Sequence, residues 1–111
     1  MAIPGVIAAQ APPTPAGSTD YSKVTAYSEI APFLANAQKA SAFLKTTIIG
    51  QSVNKRNIYA ATFSSGDFGK DSTKVKVLIF AQQHGNEQSG KEAALLLISE
   101  LTRPENHYLL S

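Results

Sequence analysis

The sequence predicts an α/β fold, and three stretches carry the prediction. "KVKVLIFA" (74–81) begins alternating and turns continuously apolar, the pattern of a strand buried on both faces. A short polar segment follows, and then "QSGKEAALLLISELT" (88–102) runs at helical spacing. Upstream, "LKTTIIGQSV" and "RNIYAATFSS" are rich in β-branched and aromatic residues. A central strand, a short loop and a helix are the start of a βα unit.

The elements follow in chain order. Residues 25–43 place Tyr27, Ile30, Phe33, Leu34, Ala37 and Ala40 on one helical face, with Thr25 as the expected cap. Pro32 falls too far in for the favoured first position, so it either kinks the helix or marks its start. The polar pair Asn54–Lys55 separates two strands, 44–53 and 56–64, of an antiparallel hairpin. Within them Tyr59 and Phe63 alternate as core residues do, and Phe80 reads the same way in the later strand. "SGDFGKDST" is a loop by composition. Residues 75–81 are expected to form the buried strand. Residues 88–102 form a helix with Ala94, Leu95, Leu97, Ile98 and Leu101 on its apolar face, ended by Arg103–Pro104.

Bulk composition narrows the function classes. A chain of 111 residues builds one small domain with a modest core. Net charge is +2, and the only basic doublet is Lys55–Arg56, which gives no nucleic-acid footprint. The absence of cysteine excludes thiol nucleophiles, disulfides and cysteine-bound zinc. No apolar run reaches the roughly 18 residues of a membrane span. The first 20 residues read as a leader outside the fold. Ala9-Gln10-Ala11 has the small-x-small form of a signal-peptidase site, although a basic start is missing. A clipped signal peptide, and hence export, is the preferred reading over a flexible tail. Residues 21–111 form the domain.

The chemistry concentrates at "HGNE". His84 and Glu87 lie where the buried strand ends, the edge at which α/β sheets place ligands. Imidazole and carboxylate are both zinc ligands. Separated by two residues in a turn that enters a helix, they can converge on one ion. Gly85 is expected to ease that turn, and a helix N-terminus favours an ionised Glu87. A chance His-x-x-Glu arises in about one chain in ten of this composition, so the context matters more than the pattern. Asn86 either orients His84 or simply forms the turn. His107 lies past a helix of about 20 Å and reads as a surface histidine beside Tyr108. Ser52 and Ser89 have no neighbouring histidine in sequence to activate them. Arg56, at the hairpin turn, is expected in a surface salt bridge.

"KVKVLIFAQQHGNEQSGKEAALLLISEL" resembles the first zinc-ligand segment of the M14 zinc carboxypeptidase family, in which an apolar strand ends in His-x-x-Glu before a helix. Gly50, Ser52 and Arg56 match that family's hairpin in "TTIIGQSVNKRNIYAATFSS". The resemblance covers about residues 20–111. It implies the N-terminal part of a three-layer fold, a mixed central sheet flanked by helices. It also implies a Zn2+ cofactor held by His84 and Glu87 and a peptide or acylated amino-acid substrate. The family's third ligand, a histidine, and its glutamate general base have no counterpart here and are expected downstream of Ser111. This chain is therefore expected to be an N-terminal fragment, inactive by itself, exposing apolar surface that a complete sheet would cover. A related deacylase of the aspartoacylase type, and a non-catalytic binding domain on the same fold, are the alternatives.

Overall fold

The computed structural model describes residues 10–111. Its order is a 3-10 turn (Gly17–Thr19), helix α1 (Tyr27–Ala40), strands β1 (Leu44–Gln51) and β2 (Asn57–Phe63), helix α2 (Gln88–Leu101) and a 3-10 helix (Pro104–Leu110). The architecture is mixed α/β. The hairpin forms where it is expected, antiparallel, with Leu44 opposite Phe63 and Gln51 opposite Asn57. A register shift between Ile48 and Gly50 marks a bulge in β1.

The ends of α1 are set differently from the sequence expectation. Ala26, not Thr25, is the N-cap residue, and its side chain has no acceptor. Glu29 compensates by reaching back, its carboxylate accepting the Ala26 N–H at 2.7 Å. Pro32 lies inside the helix, so the Ser28 carbonyl loses the N–H it would meet one turn later. Phe33, Leu34 and Ala37 are buried, while Tyr27 is exposed. The Tyr27 hydroxyl instead accepts the Asn57 N–H at 2.7 Å and pins α1 to the hairpin. Arg56 does not enter the expected salt bridge. Its guanidinium lies over the Tyr27 ring, 5.3 Å from the centroid, where the ring quadrupole attracts a cation.

The core is small. Phe33 and Leu34 of α1 meet Leu95 of α2, and Ile30, Tyr59, Ala61 and Ile98 pack around them. The expected strand at 75–81 is not formed. Val75, Val77, Leu78, Ile79 and Phe80 are 88%, 70%, 83%, 60% and 66% exposed, and among the described residues the sheet consists of β1 and β2. A strand exists only by pairing its backbone groups with a neighbour. No strand among the described residues lies alongside 75–81, so local β-propensity has nothing to act on. The far end of this stretch flanks an open groove of about 620 Å³ shared with Ala93, Ala94 and Leu97 of α2.

Of the 20-residue leader, residues 1–9 lie outside the described residues. The rest is docked rather than free. Thr14 and Ala16 are buried, and the Ser99 hydroxyl of α2 donates to the Pro12 carbonyl at 2.6 Å. An added Cβ at Gly17 would stand 2.9 Å from Thr14 Oγ1, so a larger residue here would require the Thr14 side chain to shift. Among the described residues no helix is long and apolar enough to cross a membrane.

Candidate metal centre

His84 and Glu87 sit in the turn that delivers the chain into α2, and they touch. His84 Nδ1 lies 2.9 Å from Glu87 Oε1. The His84 backbone N–H donates to Glu87 Oε2 at 3.2 Å, and the Glu87 N–H returns a bond to the His84 carbonyl at 3.1 Å. An ionised carboxylate only accepts, so in this contact Nδ1 carries the proton. The ring is 76% exposed and the carboxylate 48%. Both ligand candidates therefore open to solvent.

Hydrogen bonding from the His84 ring, and then from its backbone N–H, holds the Glu87 carboxyl below its ordinary range. Glu87 is the N-cap of α2, yet its carboxylate makes no capping bond to the helix. The expected ionised state is present, but His84 rather than the helix terminus is its main cause. Nothing in the turn requires glycine at position 85 in the way expected. The glycine with a left-handed φ among the described residues is Gly69, and a Cβ at Gly85 would meet open space.

The two side chains suit a zinc ion as far as they go. Bonds of about 2.0–2.1 Å to a tetrahedral ion set donor atoms about 3.3 Å apart. The observed 2.9 Å needs an opening of only a few tenths of an ångström. No group of three or more His, Cys, Asp or Glu side chains that could hold a metal occurs among the described residues. His107 does not join the pair. It is not the expected surface residue either, because Nε2 is buried with no hydrogen-bond partner among the described residues and the ring stands edge-on to Phe43 at 4.6 Å.

Sequence reasoning missed the residues that support the turn. The Gly85 carbonyl accepts from Gln88 Nε2 at 2.9 Å and from Gln82 Nε2 at 3.2 Å. Lys91 Nζ donates to Gln88 Oε1 at 2.6 Å and also to the Thr25 carbonyl. Gln82 adopts a left-handed φ of 56°. Position one of a helix and a lysine one turn later carry no distinctive local pattern, so only the three-dimensional contacts single them out.

A family model described as zinc carboxypeptidase, peptidase family M14, matches residues 30–110. No curated protein and no solved structure matches this chain.

Proposed function

The chain belongs to the zinc carboxypeptidase family, and we propose that His84 and Glu87 are two of the ligands of its zinc ion in an enzyme that hydrolyses C-terminal peptide bonds. The observation that carries this is the 2.9 Å contact between two solvent-facing donor groups at the entry to α2. A catalytic zinc takes a third protein ligand, and among the described residues no further His, Cys, Asp or Glu side chain joins the pair.

Within the segment, the chemistry of each group is defined. The Glu87 carboxylate is kept ionised by the His84 donors and so needs no deprotonation to bind a cation. His84 would bind a cation either through Nε2, keeping Nδ1–H on Glu87, or through Nδ1 with its proton carried on Nε2. The bound zinc would polarise the scissile carbonyl and acidify a water.

Alanine at either position in the protein tests the reading. His84→Ala and Glu87→Ala are each expected to lose stoichiometric zinc by elemental analysis and to abolish peptide hydrolysis. A His84→Ala protein that keeps both full zinc and full activity would refute the proposal.

A further inference from the structure

We propose that Gln88, oriented by Lys91, is a positioning residue that holds the His84–Glu87 turn in its ligand-presenting shape. The proposal rests on the zinc reading of those two residues.

Gly85 lies between the two ligands in sequence. The direction of its carbonyl fixes the peptide plane at the centre of the turn. That carbonyl receives the Gln88 amide N–H at 2.9 Å. An amide side chain has two nearly isosteric orientations, and only one of them donates to a carbonyl. Lys91 selects it. An ammonium group has donors and no acceptor, so Nζ can meet only the oxygen end of the amide, as it does at 2.6 Å. The nitrogen end is thereby aimed at Gly85.

Lys91 is itself anchored away from the turn. Nζ also donates to the Thr25 carbonyl, and Thr25 is held through its N–H and hydroxyl by Glu92. The Lys91 and Glu92 side chains are only 12% and 18% exposed, with Nζ 3.5 Å from Oε1. The chain of contacts runs from the segment before α1, through Lys91 and Gln88, to the carbonyl between His84 and Glu87. It fixes an exposed turn to the buried side of α2.

The test uses the 111-residue chain in four variants. Gln88→Glu keeps an acceptor for Lys91 but loses the donor to Gly85. Lys91→Met loses the orienting charge, and Lys91→Arg restores a donor. His84→Ala sets the baseline for Zn2+. Hydrogen exchange of the Glu87 amide, relative to the Leu95 amide inside α2, is read by NMR, and Zn2+ binding by titration. One net hydrogen bond corresponds to about 2–10-fold. Gln88→Glu and Lys91→Met are expected to speed relative Glu87 exchange by about that factor and to weaken Zn2+ binding comparably, with Lys91→Arg close to the parent.

Unchanged relative exchange in both variants overturns the proposal, as does a Lys91→Arg variant no better than Lys91→Met. So does unchanged Zn2+ affinity in Gln88→Glu where His84→Ala loses it. If His84→Ala binds Zn2+ like the parent, the zinc reading fails instead, and relative exchange still decides whether Gln88 holds the turn.

Discussion

Thr25 and Glu92 lie 67 positions apart and meet through both arms of one carboxylate: the Thr25 N–H donates to Oε1 and its hydroxyl to Oε2, each at 2.7 Å. Thr25 is 2% exposed. The contact ties the residues before α1 to α2. It is polar, nearly buried and geometrically bidentate, which makes it sensitive to the loss of either partner.

Glu92→Ala leaves the Thr25 N–H and hydroxyl buried without acceptors. An expected loss of about 2–3 kcal/mol follows from the cost of unsatisfied buried groups that had bonded to a charge. Urea unfolding of parent and variant measures it. A loss under about 0.5 kcal/mol would show that water replaces the carboxylate at no cost.

Two leucines separate packing from mere hydrophobicity. Leu95 is buried against Phe33 and Leu34, so Leu95→Ala should cost about 2–4 kcal/mol through lost burial and the cavity left behind. Leu78 is 83% exposed, so Leu78→Ala should stay within about 0.5 kcal/mol. The same exposed stretch should bind a hydrophobic dye, and Leu78→Lys should reduce that binding.

Gly90→Ala is expected to stabilise α2 by about 0.5–1 kcal/mol, the usual gain of alanine over glycine inside a helix. The new Cβ would meet Ala81 Cβ at 3.8 Å and the Gln82 nitrogen at 3.9 Å, both ordinary contacts. Helicity by circular dichroism and the urea midpoint should both rise. A fall would mean that residues 81–82 lie closer to the helix than this.

The loop before Lys74 carries a pH-dependent turn. Asp71 accepts the Thr73 hydroxyl at 2.6 Å and the Thr73 N–H at 2.9 Å. These bonds, the hydroxyl first, lower the Asp71 pKa from 3.8. A depressed carboxyl contributes its stabilisation fully above its unfolded pKa and loses it as pH falls through the folded value. The Thr73 amide shift in NMR should therefore stay constant at neutral pH and change with a midpoint below 3.8. Asp71→Asn should remove that transition.

Local pattern was enough for much of the molecule. Both helices and the hairpin are visible in their periodicities, because helical bonds and a tight turn are satisfied within neighbouring residues. The His84–Glu87 pair is visible for the same reason, since three positions bring the two side chains together in a turn. Imidazole and carboxylate are both metal-ligand types, which is what makes the pair a candidate centre. Tertiary structure alone decided whether the apolar stretch 75–81 becomes a strand, because its hydrogen bonds belong to whatever lies beside it. It decided that Arg56 covers a ring instead of pairing with an acid. It also brought Thr25 to Lys91 and Glu92. Those contacts span 66 or more positions, and no periodicity reaches so far: they depend on the packing of α1 against α2, which places each donor within reach of its acceptor.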